Sequence, residues 1–338
     1  MSRGTDTSIR LSLIIPVYNR PSEVDELLDS LCRQTVKDFE VVIVEDGSSV
    51  KCEEVVERFS SLLDLKYFYK PNSGPGQSRN YGAERASGNY VVFLDSDCVI
   101  PPAYVEVVQS RLKRDFVDAF GGPDMADKGF SDLQKAINHS MTSFLTTGGI
   151  RGGGEKLDKF YPRSFNMGFS KDVFEKTKGF SVMRFGEDID MSIRILKCGF
   201  RTALIREAGV YHKRRTSFRQ FFKQVYNSGI ARINLQKRHP GSLKAVHAFP
   251  ALFVVGTVLL VAAAVLIDWR FVLPLAVYAV LLFIDSSIKN KSAVVGFISI
   301  FSGFIQHFGY GTGFIAAFWK RMLFAKGEYA AFERTFYD

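Results

Sequence analysis

The first 120 residues alternate short apolar, β-branched runs with segments whose apolar residues recur at helical spacing. The apolar runs predict four buried strands, at Leu11–Val17, Phe39–Val44, Leu65–Tyr69 and Tyr90–Leu94. The segment after Pro21 predicts a helix, because proline is favoured in the first turn and Val24, Leu27, Leu28 and Leu31 share one helical face. Strands that alternate with helices form βαβ units, so this pattern predicts an α/β fold around a parallel sheet.

Further elements follow from the same criteria between residues 80 and 199. Asn80–Ala86 predicts a helix that ends at Ser87–Asn89, and Phe165–Phe169 predicts a strand or a strand edge. Gly186–Asp190 opens a helix that continues to Gly199, a residue type that often follows the last helical turn. These elements extend the α/β pattern to residue 199.

The last third of the chain contains three uncharged apolar runs. Ala248–Ile267 is 20 residues long, Phe271–Ile284 is 14 and Ala293–Trp319 is 27. A helix of about 20 apolar residues crosses the ~30 Å hydrocarbon core of a bilayer. The alternative is a set of buried helices in a large soluble domain, but three such runs within 72 residues would have little to be buried against. We therefore expect two to three transmembrane helices in residues 247–338.

The third run decides on which side of the membrane the chain ends. Three crossings would place Lys320 and Arg321 outside, against the rule that basic residues flank spans on the cytoplasmic side. A third run that is partly interfacial or re-entrant would avoid that conflict. Gly303, Gly309 and Gly311 fit close helix packing and a broken helix equally well. Three crossings are the preferred interpretation, and the alternative stays open.

Composition and charge narrow the possible partners. The chain has 338 residues, of which 46% are hydrophobic, so it is too apolar to be disordered. Its net charge of +9 is concentrated in residues 201–246, which carry 11 basic residues and one acidic residue directly before the first apolar run. Met1–Arg10 is polar and does not resemble a signal peptide. We therefore expect a multi-pass protein of the cell (inner or plasma) membrane, with residues 1–240 cytoplasmic, that contacts membrane lipids and no nucleic acid.

The basic segment has the pattern of an amphipathic helix. Aromatic and aliphatic residues recur at helical spacing through Thr216–Arg238, among the basic ones. One interpretation is an interfacial helix against the bilayer, and the other is an internal helix packed on the sheet. We expect three parts in the chain: a catalytic domain at residues 1–210, a basic amphipathic interfacial segment at 211–246 and a membrane domain at 247–338.

Polar turns follow the predicted strands. In parallel sheets, ligands bind beyond the carboxyl ends of the strands. The segments in that position are predicted to bind a ligand, and they are Tyr18–Arg20, Glu45–Ser49 and Asp95–Asp97. The carboxylates of Asp95 and Asp97 repel each other when both are ionised, and Mg²⁺ or Mn²⁺ would relieve that repulsion and carry a diphosphate with it. The alternatives are an ordinary Asp-Gly turn at residues 46–47 and a solvated acidic turn at 95–97.

Two further segments combine glycine or acidic residues with the start of a helix. Asn72–Asn80 contains glycines that allow a ligand close to the backbone, and it leads to a helix N-terminus, where anions are favoured. Its glycines match neither the phosphate-loop nor the dinucleotide-binding fingerprint. Gly186–Asp190 places three acids in the first turn of a helix, where helix capping alone would also explain them.

The order and spacing of these motifs are more specific than any one of them. Five segments carry the pattern: Pro16–Arg20, Val44–Ser49, Asn72–Asn80, Phe93–Asp97 and Gly186–Asp190. Together they resemble the family two glycosyltransferases of the GT-A fold, over roughly residues 9–215. The apolar tail, with His307–Gly311, is similar to the membrane-anchored branch that builds exopolysaccharide repeat units on lipid carriers. The resemblance implies a nucleotide-binding, Rossmann-like mixed sheet followed by transmembrane helices.

The resemblance also implies roles for individual residues. Asp188 matches the catalytic base and Glu187 its neighbour near the acceptor, and Asn166 and Asp190 would belong to the acceptor region. Asp46 matches the acid that accepts a hydrogen bond from uracil. The cation, Mg²⁺ or Mn²⁺, would be bound by Asp97 and Asp95. The remaining positions would contact the donor: Val17, Tyr18, Asp46, Gly74, Arg79 and Asp95 its nucleotide, and His212, Arg214 and Arg215 its phosphates.

The implied reaction is transfer of a hexose from a UDP-sugar to a lipid-linked saccharide or glycan acceptor in cell-envelope polysaccharide synthesis. A single base that deprotonates the acceptor for direct displacement inverts the anomeric carbon. The alternatives are transfer to polyprenyl phosphate itself and a non-catalytic membrane protein that binds nucleotide sugars or serves as a scaffold. A processive synthase is disfavoured, because similar synthases carry a Gln-x-x-Arg-Trp element and residues 201–246 contain no tryptophan.

Overall fold

The computed structural model describes residues 9–125, 129–147 and 160–324. The chain divides into two compact units. Unit 1 consists of Met1–Met125, Lys156–Lys213 and Phe332–Asp338, and unit 2 of Ala126–Glu155 and Arg214–Ala331. The described residues 129–147 therefore belong to the same unit as the apolar helices of the last third of the chain.

Unit 1 is built on short strands that form two sheets. The strands are β1 Leu11–Val17, β2 Phe39–Asp46, β3 Asp64–Lys70, β4 Tyr90–Leu94, β5 Cys98–Val99, β6 Ala119–Gly121, β7 Asp124–Met125, β8 Asn166–Ser170, β9 Thr202–Leu204 and β10 Val210–His212. The larger sheet has the order β3-β2-β1-β4-β8-β6-β9, and the smaller one has the order β5-β10-β7. The first four strands are parallel, whereas β8 is antiparallel to both β4 and β6. The predicted mixed α/β sheet is confirmed.

The helices are numbered along the chain, and α5, α6 and α9 to α12 belong to unit 2. They are α1 Pro21–Cys32, α2 Glu53–Phe59, α3 Pro75–Arg85, α4 Tyr104–Arg114, α5 Asp132–Thr142, α6 Phe144–Thr147, α7 Lys171–Thr177, α8 Glu187–Lys197, α9 Phe218–Arg238, α10 Ala245–Leu266, α11 Leu273–Asn290 and α12 Ala293–Phe318. A 3₁₀ turn at Trp269–Val272 joins α10 to α11, and a π-helical turn at Trp319–Leu323 follows α12.

Alternate residues of the central strands contribute to two separate apolar cores. In β1, Leu13 and Ile15 belong to the core that includes α1 and α4, whereas Ile14 belongs to the core that includes α3 and α8. Strands covered on both faces are apolar at nearly every position, which is why they appear in the sequence as continuous apolar runs. The strands predicted at Leu11–Val17 and Tyr90–Leu94 are confirmed to the residue.

Helix α3 begins at Pro75, so the predicted start at Asn80 was wrong. Gly74 directly before it has a φ of +89°, which favours glycine, and the ring of Pro75 fixes a φ close to the helical value. The glycine-rich segment is therefore divided between a short loop at residues 72–74 and the first turns of α3. Arg79 consequently projects from a helix and not from a loop.

A buried carboxylate connects β2 to its neighbours in the larger sheet. Glu40 accepts hydrogen bonds from the hydroxyls of Ser12 and Ser87 and from the backbone N–H of Gly88, and it pairs with Lys66 at 2.8 Å. Burial alone would raise its pKa, but these donors outweigh burial and lower the pKa of Glu40 to about 2. The carboxylate therefore stabilises this end of the sheet in its ionised form.

Three helices of unit 2 are long and apolar enough to cross a membrane, namely Ala245–Leu266, Trp269–Asn290 and Ala293–Met322. The prediction of such helices in the last third of the chain is confirmed by length and composition. The amphipathic helix predicted in the basic segment is α9, whose Phe221 and Val225 lie in one apolar cluster with Ile137 and Met141 of α5. The apolar face of α9 is thus covered by helices of its own unit.

Candidate active site

The carboxyl ends of β1, β2 and β4 lie at one edge of the larger sheet, as the sequence predicted. Asn19, after β1, donates its backbone N–H to the hydroxyl of Ser48 at 2.8 Å, and its side-chain oxygen accepts the N–H of Val50 at 2.9 Å. The turns after β1 and β2 are therefore held together. Val17 is the buried last residue of β1 and Tyr18 follows it directly. Their contacts with a nucleotide stay predictions.

Asp46, the last residue of β2, is buried and fixes the loop at residues 72–74. Its carboxylate accepts the backbone N–H groups of Ser73 at 2.9 Å and Gly74 at 2.8 Å, the side-chain amide of Asn72 at 3.3 Å, and the ammonium of Lys70. A carboxylate has about four acceptor positions, so donors of the chain itself occupy them. This arrangement brings Gly74 to the sheet edge. The hydrogen bond that Asp46 is predicted to accept from a nucleotide base stays a prediction.

Asp97 follows β4 and is buried beside His212 of β10. Its Oδ1 lies 3.0 Å from Nε2 of His212, and its Oδ2 accepts a hydrogen bond from Nη1 of Arg20 at 2.5 Å. Asp95 is farther away, with Oδ2 at 4.0 Å from the same imidazole nitrogen. Cys98 completes the cluster, because single ligand atoms of Asp97, Cys98 and His212 all lie within 4.8 Å of one another.

The positions of Asp97 and His212 are suitable for a divalent cation, and their charges determine how it could be bound. Burial would raise the pKa of Asp97, but His212 and Arg20 outweigh burial and lower it, so the carboxylate is ionised. Burial would lower the pKa of His212, but the neighbouring carboxylates of Asp124, at 3.8 Å, and Asp97, at 3.0 Å, raise it to about 10. A divalent cation would have to displace the proton of the His212 imidazolium before this side chain could bind it, and it would share the Asp97 carboxylate with Arg20. Burial raises the pKa of the Cys98 thiol, which makes it a poor ligand for Mg²⁺ or Mn²⁺.

Arg79 joins the sheet edge to the start of α8. Its buried guanidinium donates hydrogen bonds to Oδ1 of Asp95 at 2.7 Å and to Oε1 of Glu187 at 3.1 Å. One cation is thus shared by an acid that follows β4 and an acid in the first turn of α8. The contact of Arg79 with a nucleotide stays a prediction. In the structure, Arg79 connects Asp95 after the end of β4 to Glu187 at the start of α8.

The two adjacent acids of α8 have opposite pKa shifts. Burial and the charge of Asp188 raise the pKa of Glu187 to about 7. Burial would also raise the pKa of Asp188, but Arg163 outweighs it, with Nε at 2.5 Å from Oδ2, and the pKa is lowered. The backbone N–H of Ile189 adds a hydrogen bond of 2.8 Å to Oδ1. At neutral pH Asp188 is therefore the ionised acid of the pair and can accept a proton, while Glu187 is partly protonated.

Asn166 and Asp190 are fully buried in unit 1. The side chain of Asn166 accepts a hydrogen bond from the hydroxyl of Tyr104 at 2.6 Å and donates one to the carbonyl of Ala208 at 2.8 Å. Asp190 accepts a hydrogen bond from Nε of Arg194 at 2.8 Å, the ordinary pair of residues four apart on a helix. Both residues support the site from inside the fold, and their predicted contact with an acceptor stays a prediction.

Arg214 and Arg215 belong to unit 2. The guanidinium of Arg214 donates a hydrogen bond to Oδ1 of Asn138 at 2.9 Å, and its carbonyl accepts one from Gln134 at 3.0 Å. These contacts hold the start of the basic segment to α5. The predicted contact of both arginines with donor phosphates stays a prediction.

Sequence reasoning missed the partners of the predicted acids. Arg163 lies in a stretch without a recognisable motif, and only the fold shows it beside Asp188. His212 was predicted to contact donor phosphates, but the structure places it on β10 next to Asp97. No spacing rule connects two residues that are 115 positions apart. Among these partners, only Arg20 could have been suggested by the sequence, because it lies in the polar turn predicted after β1.

Comparison with known proteins matches residues 12–178 to the family described as Glycosyl transferase family 2. An uncharacterized glycosyltransferase of Haemophilus influenzae is 31% identical over 195 residues, which are 55% of this chain and 62% of that protein. An uncharacterized glycosyltransferase of Rickettsia conorii is 37% identical over 113 residues, which are 33% of this chain and 18% of that protein. The alignments cover 13% to 18% of the length of this relative and three others.

Among solved structures, a mannosyltransferase of Pyrobaculum calidifontis in complex with GDP-Man and Mn²⁺ is similar, with a TM-score of 0.67 at 17% sequence identity. The superposition covers 94% of this chain and 89% of that chain. A similarity at this level of identity shows a shared fold.

Proposed function

We propose, from the premise that residues 12–178 form a glycosyl transferase family 2 domain of the GT-A fold, that this protein moves a hexose from a UDP-sugar to a lipid-linked saccharide or polysaccharide precursor. The transfer depends on a divalent cation, inverts the anomeric carbon and takes place at the cytoplasmic face of the cell membrane. The proposal rests mainly on the two acids of α8 with opposite pKa shifts, which Arg79 connects to the acids after β4.

The departing diphosphate of a nucleotide sugar needs positive charge. Asp97 and His212 would hold Mg²⁺ or Mn²⁺, which supplies that charge when bound. The similar mannosyltransferase contains Mn²⁺ together with its nucleotide sugar, which supports metal use in this chain as well. Arg20 places a second positive charge beside Asp97 and keeps this carboxylate ionised and in position.

Asp188 is the base of the proposed reaction. Arg163 keeps its carboxylate ionised, so it can accept the proton of an acceptor hydroxyl. The bond between the acceptor oxygen and the anomeric carbon forms while the bond from that carbon to the diphosphate oxygen breaks, and the proton passes to Asp188. Displacement from the side opposite the leaving group inverts the anomeric carbon. Glu187, with a pKa of about 7, can donate a hydrogen bond to the acceptor in its protonated form.

Charge and hydropathy support an acceptor carried by a lipid. Three apolar helices are long enough to cross a membrane, and the segment before them carries 11 basic residues. Such a segment attracts anionic lipid headgroups and the diphosphate of a lipid carrier alike. A water-soluble acceptor would need neither feature.

Donor binding and turnover of the purified full chain test these assignments separately. Asp97→Ala is expected to weaken the Mn²⁺-dependent binding of a UDP-sugar, because it removes a cation ligand. Asp188→Asn is expected to leave donor binding intact and to lower kcat by about 10²- to 10⁴-fold, because it removes the base. Asp172→Asn changes an exposed carboxylate of α7 and is the matched control. Equal loss of binding and turnover in both site variants would contradict the assigned roles.

A choice of acceptors distinguishes the proposal from its alternatives. The enzyme is incubated with a panel of nucleotide sugars and either a polyprenyl-diphosphate saccharide or polyprenyl phosphate. Extension of the saccharide supports the proposal, and glycosylation of polyprenyl phosphate alone supports the other transferase. If no donor is consumed and Asp188→Asn leaves polysaccharide assembly in cells unchanged, the non-catalytic interpretation is correct.

A further inference from the structure

The segment between α7 and α8 leads to the acids of the candidate site without regular structure. Residues 178–186, all described, contain neither helix nor strand, and Glu187 and Asp188 follow directly in the first turn of α8. Lys178 and Gly179 have φ values of +61° and +67°, in the left-handed region, at the point where α7 ends. Such a segment lacks the regular backbone hydrogen bonds of a helix or a sheet, so its position depends on side chains of other elements.

Asn80 of α3 holds this segment at Phe180. Its Oδ1 accepts the backbone N–H of Phe180 at 2.7 Å, and its Nδ2 donates to the carbonyl oxygen of the same residue at 2.8 Å. A side-chain amide that satisfies both backbone groups of one residue replaces the partner that a neighbouring strand would provide. Gln77, three residues earlier in α3, donates a longer hydrogen bond of 3.3 Å to the same carbonyl oxygen. Asn80 therefore makes the stronger of these two links from α3 to the segment.

Gly179 leaves the space that this contact needs. A Cβ atom at this position would collide with Oδ1 of Asn80 and would lie 2.7 Å from Cε2 of Phe174. A residue without a side chain allows the amide of Asn80 to come this close to the backbone of the segment. The contact thus depends on the glycine as well as on the asparagine.

The ring of Phe180 supports the guanidinium that connects the acids of the site. This buried ring lies 5.1 Å from the ring of Phe93 in β4 and nearly perpendicular to it. The guanidinium carbon of Arg79 lies 5.5 Å from the centre of the ring of Phe180, within the range of a cation–π contact. Among the described residues, Nε of Arg79 has no hydrogen-bond acceptor. The guanidinium is therefore held by this ring and by the carboxylates of Asp95 and Glu187.

The same segment is also linked to α8. The hydroxyl of Ser181 donates a hydrogen bond to Oδ2 of Asp190 at 2.6 Å. A Cβ atom on Gly76 of α3 would lie 3.3 Å from Cγ of Glu187 and 3.4 Å from Cβ of Phe180, so the segment and the start of α8 pack against the same turn of α3. A displacement of Phe180 from α3 would therefore move the first turn of α8.

We propose that Asn80 is a positioning residue for the glycosyl transfer proposed above. By holding Phe180 on α3, it keeps the first turn of α8, with the base Asp188, aligned with the edge of the sheet. Its amide is engaged with the chain itself, so it acts through the backbone of the segment and not on a substrate. A misplacement of reacting groups by about 1 Å can lower a rate by about 10²-fold, so a contact outside the reacting groups is sufficient for such an effect. This inference rests on the proposed function.

Steady-state kinetics of the purified full chain test this role with Asn80→Ala. The kcat per folded molecule is expected to fall by about 10- to 100-fold, because the base is no longer aligned. The Kd of UDP in the presence of Mn²⁺ is expected to change by less than about threefold, because Arg79 keeps its hydrogen bond to Asp95. A residue with a merely structural role would change Tm and leave the kcat per folded molecule unaltered. An unchanged kcat, or equal losses of UDP binding and turnover, would overturn the proposal.

Two other variants of α3 calibrate this result. Gln77→Ala removes only the longer hydrogen bond to the carbonyl oxygen of Phe180, so kcat is expected to fall by less than about threefold. Glu84→Ala changes an exposed side chain of the same helix and is expected to leave kcat unchanged. A fall in kcat for Glu84→Ala as large as that for Asn80→Ala would contradict a specific role of the Asn80 amide.

Gly179→Ala disturbs the same contact from the other side and retains Asn80. The added methyl group displaces the amide of Asn80, so a similar fall in kcat with retained binding of UDP is expected, and this variant also serves if Asn80→Ala does not fold. Gly199→Ala is the matched control, because Gly199 has a φ of +79° but no atom lies within 4 Å of the added Cβ. Equal losses of kcat in both glycine variants would overturn the proposal, because backbone strain alone would then explain them.

Amide hydrogen exchange, measured by mass spectrometry, tests the contact without a substrate. In Asn80→Ala, the backbone amides of residues 180–190 are expected to exchange about tenfold faster than in the native chain, because the segment loses two hydrogen bonds. Unchanged exchange would overturn the inference. If the native chain transfers no sugar from any nucleotide sugar, the proposed function is wrong and the positioning role is wrong with it. If the native chain is active and Asn80→Ala alters exchange but not kcat, the proposed function stands and only the positioning role is wrong.

Discussion

The raised pKa of Glu187 means that this acid destabilises the folded chain when it is ionised. Its pKa is about 7 in the fold and 4.5 in a free chain, because burial and the adjacent Asp188 carboxylate disfavour the charge. The folded state therefore binds more protons than the unfolded state between these two pH values, and stability falls as pH rises through this range. Glu187→Gln keeps the shape of the protonated acid and removes the ionisation.

The two pKa values set the size of the effect. The gain in the free energy of unfolding for Glu187→Gln is about 0.8 kcal/mol at pH 5 and about 3 kcal/mol at pH 8, since each pKa unit corresponds to about 1.4 kcal/mol. For a unit of this size, about 3 kcal/mol raises Tm by roughly 6–12 °C. Turnover is expected to fall in the same variant, because the acid lies beside the proposed base, so stability is gained at the expense of activity.

Thermal unfolding of the purified full chain at pH 5 and pH 8 measures this difference. Glu175→Gln, which changes an exposed carboxylate of α7, is the control and is expected to alter the free energy of unfolding by less than about 0.5 kcal/mol at both pH values. A gain for Glu187→Gln that is the same at pH 5 and pH 8 would refute the reasoning, and so would a loss of stability at pH 8.

Three other predictions follow from the fold and the site. Gly47 has a φ of +75°, and an added Cβ would lie 2.7 Å from a backbone nitrogen. Gly47→Ala is therefore expected to lower the free energy of unfolding by more than about 1 kcal/mol, as measured by chemical denaturation. Gly199→Ala, at a φ of +79° but with no atom within 4 Å of the added Cβ, is expected to lower it by less. Because the pKa of Glu40 is lowered from 4.5 to about 2, its ionised carboxylate contributes about 3 kcal/mol to the free energy of unfolding at neutral pH. This contribution is lost as pH falls from 4.5 to 2. The difference in unfolding free energy between the native chain and Glu40→Gln should disappear over that range. Arg163→Met removes the cation that lowers the pKa of Asp188, so the acid limb of the pH–rate profile is expected to move to higher pH while donor binding is unchanged.

The parts of the fold that could be predicted from the sequence are those decided by local pattern. Strands β1 and β4 are covered on both faces, so their apolar runs define their ends. The glycine-rich segment was more difficult, because Gly74 and Gly76 suggested a loop while Pro75 is compatible with the first turn of a helix. Pro75 occupies the first helical position, so α3 starts five residues earlier than predicted. The domain itself was predicted from its motifs, and the match over residues 12–178 confirms it.

The parts of the site that could not be predicted depend on contacts distant in sequence. Asp97 was recognised from its place after a strand, but its neighbour His212 arrives through a second, smaller sheet whose strands have two or three residues. Strands this short have no detectable periodicity. Arg163 likewise follows no motif, and only the packing of α8 shows that it controls the charge of Asp188.

The sharing of Arg79 between Asp95 and Glu187 couples the charge of one acid to the protonation of the other. A ligand that neutralises Asp95 leaves the guanidinium to Glu187 alone, and the ionised form of Glu187 is then favoured. Binding of such a ligand is therefore expected to release a proton from Glu187, because the two acids share one guanidinium.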